Sequence, residues 1–419
     1  MQKVGIDSLA VYTSRYALDL KTLAAARGID ANKFYVGLGQ HNMSVPPPGE
    51  DIITMAASAA LKALEDIDIN TIEMLLFATE SSFDQSKASG LYVHELLGLS
   101  SRCRTIELKQ ACYSATAAIQ LALPFLRENP GKKVLVIASD IARYGLGTTG
   151  ESSQGCGAVA MVLSANPRIA VFEKYSGFVS ESVMDFWRPS YLDEALVEGK
   201  YSSKLYLTML EKVWNEYSQL SGRAYADHHY FCYHAPVPRL VEKAHQSLLK
   251  WSGQKIIEDV WMRDINYSLQ YGRMIGNSYT ASLYVGLASL LDLVEEDLTG
   301  KRIGFYSYGS GLVAEYFSAV IQPGYREVLK TDYHQHLLAS RQQLTHEEYA
   351  AFYQYQYPQD GSELVIPVHH TGRFRLAGIA GHKRQYEKLD LPALSLIVGD
   401  AAHRDATDAV VACGRTHVS

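Results

Sequence analysis

Short apolar runs bounded by turn residues recur along the first part of the chain and alternate with longer segments of helical spacing. Residues 4–13 alternate as a strand, residues 74–78 (MLLFA) and 132–139 (KKVLVIAS) are continuous enough for strands buried on both faces, and residues 104–108 and 156–163 (CGAVAMVL) complete the set. Helices are expected at 18–27, closed by Gly28, at 52–66, opened by Asp51, at 86–97, and in the small-residue, then Leu-rich stretch after Cys112. Residues 34–45 read as irregular and lead into a Pro46-Pro47-Pro48-Gly49 surface loop. Strands alternating with helices predict an α/β protein with a mostly parallel sheet covered by helices, in which ligands gather at the carboxyl ends of strands. Glu80 and Cys112 both fall at such ends.

From 173 to 220 the texture turns aromatic and polar, including Asp185-Phe186-Trp187-Arg188-Pro189, and reads as an insertion carrying binding loops. The α/β alternation then resumes with a strand at 230–233, His234-Ala235-Pro236, helices at 237–251 and 282–293, and a strand at 302–308 entering Gly309-Ser310-Gly311. GCGAVAMVL (155–163) and YGSGLVAEYF (308–317) repeat one pattern, a glycine turn leading into an apolar strand, which predicts two related halves.

Composition narrows the partners. A chain of 419 residues with 47% hydrophobic positions fills sizeable cores, and a formal net charge of -6 argues against a broad nucleic-acid surface. Five cysteines, odd in number and without a CxxC pair, suit a reducing cytoplasm better than a disulfide framework or a zinc site. The opening MQKVGIDSLAVYTS has no long apolar core of a signal peptide, and no run approaches the length of a membrane span. The expectation is a cytoplasmic protein with no membrane and no nucleic acid among its partners.

Cys112 is the candidate nucleophile. It stands where a strand hands over to a helix, so unpaired N–H groups and the positive end of the helix dipole would favour a thiolate. Free cysteines are also commonly buried as small apolar residues, and this stretch alone leaves both readings open. Glu80, His234 and Asn277 stand at or near predicted element ends and are the polar partners such a nucleophile needs. A carboxyl following LLFAT is partly desolvated, which raises its pKa toward neutrality and suits it to proton transfer.

Other patterns read as structural. Gly145-Leu146-Gly147-Thr148-Thr149-Gly150 fits GxGxxG but lies beyond its strand with no helix after it. His228 and His229 are adjacent in a strand and point to opposite faces, so with His234 they make a poor metal set. The aromatic cluster from Tyr349 to Tyr357 reads as packing. Lys204, Arg239 and Lys243 are either a solvated surface or a cradle for phosphates.

ATES (78–81), KQACYSATAAIQLA (109–122), VLVIASDIARYGLG (134–147), QGCGAVAMV (154–162), DFWRP (185–189), YHAP (233–236), GNSYTASLY (276–284) and SYGSGLVAEYF (307–317) occur in this order. Together they resemble the 3-hydroxy-3-methylglutaryl-CoA synthases of the thiolase superfamily, with a looser likeness over residues 3–355. The resemblance implies a thiolase-like fold of two related αβα halves stacked as five layers, αβαβα, usually a homodimer. On this sequence the first half is 1–168 with Glu80 and Cys112, the second 169–355 with His234 and Asn277, and 356–419 is an extension of uncertain structure.

It further implies that Cys112 is acetylated, that Glu80 is the general acid/base and that His234 orients the acceptor carbonyl. Tyr144 and Asn277 are similar to residues lining the acyl pocket, and Ser307, with the Cys112 backbone N–H, to part of the oxyanion region. The implied reaction joins acetyl-CoA, acetoacetyl-CoA and water, with CoA thioesters as substrates and no metal or redox cofactor. KFYVGLGQHNMSV (33–45) and IARYGLG (141–147) look more like bacterial enzymes of the mevalonate route to isoprenoids than like the acyl-carrier-protein versions that install polyketide β-branches. Arg239 stands where the family pattern has lysine. A non-catalytic scaffold of the same shape is disfavoured by the intact acid, cysteine and histidine. A thiolase, which would use a second cysteine such as Cys413, is disfavoured by the context VVACGRTHVS. The tail from 381 departs from the family pattern; within it, 391–398 could pack as a strand or helix and 399–419 be disordered.

Overall fold

The computed structural model describes residues 2–389. Its centre is a ten-stranded sheet. The first half of the chain supplies β1 (Val4–Tyr12), β2 (Ile72–Ala78), β3 (Arg104–Leu108), β4 (Lys133–Ala142) and β5 (Gly155–Ala165). The second supplies β6 (Ala170–Phe172), β7 (Gly177–Ser180), β8 (Tyr230–Tyr233), β9 (Arg302–Gly309) and β10 (Val313–Ile321). Across the sheet the order is β8-β9-β10-β6-β1-β5-β4-β2-β3, with β7 also on β10.

The sheet is mixed, which corrects the expectation of a mostly parallel one. β2 runs parallel to β3 and β4, and β8 to β9, but β5 returns antiparallel between β4 and β1, as β10 does between β9 and β6. Continuous apolar runs report burial on both faces; they carry no information on strand direction.

The same description shows the repeat. In each half a parallel pair (β2 with β4, β8 with β9) is followed by an antiparallel strand (β5, β10) that pairs in turn with the half's first strand (β1, β6). The halves join where Gly5 faces Val171 and Ile6 faces Ala170. A Cβ on Gly5 would stand 1.9 Å from the Ala170 carbonyl oxygen, so this seam requires glycine.

Five layers follow from what each face buries. The helices Ser114–Glu128 (called α3 below) and Ser282–Leu293 (α7) pack between the halves, burying Ala115, Ile119, Leu283 and Leu287 with strand residues such as Val136 and Phe305. α1 (Ile52–Ala63) and α2 (Gly90–Leu97) cover the outer face of the first half. α4 (Gly199–Ser221), α5 (Pro238–Trp251) and α6 (Glu258–Ile275) cover the second.

Several local expectations are corrected. The stretch 173–220 is not an insertion of loops: β7 extends the sheet and α4 buries Tyr206, Met209, Val213, Trp214 and Tyr217 on one face. The aromatic residues on that face of α4 are core, while Phe178 and Tyr191 are exposed and Phe186 packs against Tyr144. The helix expected from 86 begins at Gly90, because Asp84 accepts from the N–H groups of Ser86 and Lys87 in a separate turn. Residues 34–45 are not wholly irregular, since a short helix (Asn32–Tyr35) and a strand (Asn42–Ser44) border them.

After residue 330 the chain crosses back onto the first half. The His334 ring accepts from Val11 N–H at 2.9 Å, strand Gln342–Gln343 pairs with Tyr16–Ala17, and strand Phe374–Ala380 places Phe374 in the core beneath α1. Residues 383–388 form its hairpin partner. The sequence readings for 391–398, 399–419 and Cys413 lie outside the described residues. Among the described residues no helix is long and apolar enough to cross a membrane.

Candidate active site

β3 ends at Leu108 and α3 begins at Ser114, leaving Cys112 on the connecting turn. The turn is held in a conformation that alanine rarely adopts, with Ala111 at φ 44°. Ser114 compensates: its hydroxyl accepts from Gln110 N–H at 2.6 Å and donates to the Ala111 carbonyl at 2.8 Å. From the other half, the end of β9 presses on the same turn. A Cβ on Gly309 would stand 2.5 Å from the Gln110 carbonyl oxygen and 2.6 Å from Tyr113 N, both backbone atoms. Gly309→Ala is therefore expected to push the Cys112 turn away, destabilising the fold by about 1–3 kcal/mol in urea denaturation and lowering turnover by roughly 10–100-fold.

Glu80 follows β2, the parallel neighbour of β3, so adjacent strand ends bring acid and thiol together. Cys112 Sγ donates to Glu80 Oε1 at 2.8 Å. Burial, reinforced by the nearby Asp140 carboxylate, pushes the Glu80 carboxyl up to about 8. Burial and then the Glu80 carboxylate push the Cys112 thiol well above its ordinary value. The resting pair therefore holds its protons, contrary to the thiolate expected from the helix dipole alone. Desolvation and a neighbouring acid outweigh the dipole, whose influence is confined to the first turn.

Asp140, on β4, fixes this acid. Its Oδ1 accepts from Thr79 Oγ1 (2.7 Å), Glu80 N (2.9 Å) and Ser81 N (3.0 Å), and its Oδ2 accepts from Thr280 N (3.1 Å) and the Thr280 hydroxyl. Arg188 of the DFWRP segment donates to the Glu80 carbonyl. Asp140→Asn turns an amide N–H toward one of these donors, and is expected to cost about 1–3 kcal/mol by thermal unfolding. It also removes a charge that raises the Glu80 pKa, so the pH profile of Cys112 acylation should move to lower pH.

Residues 277–282 bridge from this pair into the second half. Gly155 and Gly276 approach so closely that a Cβ on Gly276 would lie 2.0 Å from the Gln154 carbonyl oxygen. Asn277 Nδ2 then donates to Tyr144 OH at 3.2 Å, and Thr280 reaches Asp140. Ser282 Oγ lies 2.6 Å from His234 Nδ1 and accepts from Ala235 N–H at 3.3 Å. The Ser282 hydroxyl proton can be donated to Nδ1 in the tautomer that carries the ring proton on Nε2. Burial lowers the His234 pKa to about 3, so the imidazole is neutral at physiological pH. Tyr144, Phe186 and Tyr279 meet edge to face as a cluster of three rings. Burial and then Cys112 raise its pKa, which keeps the phenol protonated.

The structure thus brings Glu80, Cys112, Tyr144 and Asn277 together and ties His234 to them through 277–282. The Ser307 hydroxyl accepts from Thr116 at 2.8 Å, so it faces helix α3 rather than an open pocket. Lys204 on α4 and Lys243 on α5 are exposed. Arg239 is engaged, paired with Glu242 and donating to the Val36 carbonyl at 2.7 Å.

Asp140, Ser282 and Arg188 escaped the sequence reading. The signal for Asp140 was a lone acid inside the apolar run of β4, which has no reason to be there unless donors surround it. The GxGxxG loop offers no phosphate cradle, because Gly147 N–H donates to Glu151, which Arg27 holds at 2.7 Å. The histidines do not converge: His228 lies 3.1 Å from Tyr217 OH in the core while His234 faces Ser282. Tyr349 and Tyr353 pack over residues 143–154, bonding Gln154 and Gly145.

Family models for hydroxymethylglutaryl-coenzyme A synthase match the chain at residues 1–168 (N terminal) and 249–362 (C terminal). A hydroxymethylglutaryl-CoA synthase of Enterococcus faecalis is 40% identical over 351 residues, spanning 84% of this chain and 91% of that protein. A polyketide biosynthesis 3-hydroxy-3-methylglutaryl-ACP synthase of Bacillus subtilis is 35% identical over 373 residues, spanning 83% and 87%. A crystal structure of an HMG-CoA synthase complexed with CoA superposes with a TM-score of 0.88 at 39% identity, covering 92% of this chain and 100% of that one.

Proposed function

Because this chain belongs to the hydroxymethylglutaryl-CoA synthase family, we propose that Cys112 carries an acetyl group from acetyl-CoA to acetoacetyl-CoA, with Glu80 moving the protons. The protein is an acyl-condensing enzyme that forms 3-hydroxy-3-methylglutaryl-CoA. The observation that carries the assignment of roles is the 2.8 Å contact between the Cys112 thiol and a half-buried carboxyl whose pKa desolvation pushes up to about 8.

The steps balance with these groups. Glu80 takes the thiol proton as sulfur attacks the thioester of acetyl-CoA, and CoA leaves with that proton. In the acetyl enzyme the carbonyl oxygen is held ahead of the α3 N-terminus by the Cys112 backbone N–H, which acidifies the methyl group, while Ser307, turned toward Thr116, supports the helix rather than the oxygen. Glu80 removes a methyl proton, and the new carbon–carbon bond forms at the ketone of acetoacetyl-CoA while neutral His234 donates a hydrogen bond to its oxygen. The proton on Glu80 passes to the alkoxide, and water cleaves the thioester to regenerate the Cys112 thiol. Tyr144 and Asn277 wall the acyl pocket. In this reading the exposed Lys204 and Lys243 bind the phosphates, and Arg239 joins them if it exchanges Glu242 for the ligand. The chemistry asks for CoA thioesters and no resident cofactor.

A homodimer is part of this reading. β3 is an edge strand whose Ile106 is 50% exposed, and Leu121 on the adjacent α3 is 61% exposed, so a second copy would cover an open sheet edge and apolar surface at once. A cytoplasmic, mevalonate-route setting fits Cys103, Cys112, Cys156 and Cys232, which are free.

The 35% identity to the carrier-protein enzyme supports a second reading in which an acyl carrier protein delivers the acetyl group. Turnover with acetyl-CoA plus acetoacetyl-CoA, set against the same acyl groups on carrier protein, tests both. At least tenfold higher kcat/KM with CoA substrates is expected; the reverse order would replace the first reading with the second.

A further inference from the structure

One buried carboxylate of the second half bonds two side chains of the α3 region. Glu315 on β10 is 3% exposed. Its Oε2 accepts from Tyr113 OH at 2.7 Å and its Oε1 accepts from Gln120 Nε2 at 2.7 Å. The Ser176 hydroxyl is a third donor. Tyr113 directly follows Cys112, and Gln120 lies two turns further along the same helix face. Between them Thr116 donates to Ser307, the cross-strand partner of Glu315 on β9. The helix that follows the candidate nucleophile is thus held at its start and at its middle by a single side chain of the opposite half.

The proposed chemistry leaves Glu315 without a part, since it contacts neither Cys112 nor Glu80. A buried carboxylate is costly, and three donors within one site are the arrangement that makes it tolerable. From this geometry we infer that Glu315 is a positioning residue: by hydrogen-bonding Tyr113 and Gln120 it sets the height of α3 along its axis, and with it the approach of the Cys112 sulfur to Glu80. The inference rests on the proposed role of Cys112 for its effect on turnover, but not for its effect on thiol geometry.

Two substitutions separate clamp from bulk. Glu315→Ala deletes both bonds, whereas Glu315→Gln keeps one acceptor for Gln120 and offers Tyr113 OH an N–H to accept. Relative to the unaltered enzyme, Glu315→Ala is expected to lower kcat by roughly 10–100-fold with KM changed less than about threefold, as a small displacement of a reacting group does. Glu315→Gln should restore kcat to within about threefold. Alkylation of Cys112 by iodoacetamide across pH should shift its midpoint for Glu315→Ala and not for Glu315→Gln. Tyr113→Phe should give a smaller loss of the same kind and add nothing to Glu315→Ala in the double variant, since both act through one contact.

Wild-type kcat and an unshifted alkylation profile in Glu315→Ala would overturn the inference, as would Glu315→Gln falling as far as Glu315→Ala. If Glu315→Ala does not fold, Glu315→Gln and Tyr113→Phe decide by the same alkylation profile. If the unaltered enzyme formed no acetyl adduct at Cys112, the proposed function would fall, while the alkylation midpoints would still judge the clamp.

Discussion

Cys112→Ala is expected to abolish covalent acetylation and to lower formation of 3-hydroxy-3-methylglutaryl-CoA by roughly 10⁴-fold or more, because the Cys112 sulfur is the group that the junction of β3 and α3 presents to Glu80. The reasoning is geometric. Gly309, Ser114 and the left-handed Ala111 fix a turn that presents one sulfur to one carboxyl. Alanine preserves the turn and removes the atom. Incubation with labelled acetyl-CoA followed by intact mass reads the first outcome directly: one acetyl per chain on the unaltered protein, none on the variant. Product formed by Cys112→Ala at the normal rate would end the assignment. The fold should be intact, since a small, half-buried thiol contributes little beyond its apolar surface.

Glu80→Gln is expected to separate the two halves of the reaction. Condensation should fall by about 10²–10⁴-fold, the usual contribution of a placed general base. Acetylation should stay measurable, because the substitution also removes the charge that, after burial, does most to hold the Cys112 thiol up. Alkylation of Cys112 in Glu80→Gln should therefore occur at lower pH than in the unaltered enzyme, opposite to what loss of an activating base alone predicts.

In the unaltered enzyme the sign follows from a raised carboxyl. Below about 8 Glu80 is mostly protonated and cannot take the thiol proton, so the acetylation rate should climb as pH rises through about 8 and level off above it. His234, held neutral by burial down to about 3, should add no second limb near neutral pH. A rate falling between pH 7 and 9 would contradict this account of the pair.

Much of the site was legible because strand ends are legible. MLLFATE and the run before KQAC show where two buried strands stop, and in parallel neighbours those stops lie side by side; Glu80 and Cys112 meet for that reason. His234 could be placed by the same logic on β8, the counterpart of β2 in the second half. Arg239 was legible as a cation, and its pairing with Glu242 three residues on is local; its bond to the Val36 carbonyl was not legible, since that contact depends on a loop, 36–39, folded against the start of α5. The aromatic stretch before α5 misled because aromatic residues suit both rims and cores, and only the packing of α4 shows that Trp214 and Tyr217 are core.

What the sequence determined by itself was most strands of the central sheet, though not the short β6 and β7, the repeat of a glycine turn before an apolar strand, and the nomination of Glu80, Cys112 and His234 as candidate acid, thiol and imidazole. These are local properties, fixed by periodicity and by residue type at element ends. Tertiary structure alone decided the antiparallel return of β5 and β10, the partners of Asp140 and Glu315, and the protonation state of the central pair. Each of those depends on groups distant in the chain. Direction comes from how a connection crosses the sheet, and a pKa comes from burial and neighbouring charge. That is why a thiolate, favoured by the local helix terminus, gives way to a protonated pair once β2 sets Glu80 beside Cys112 out of water.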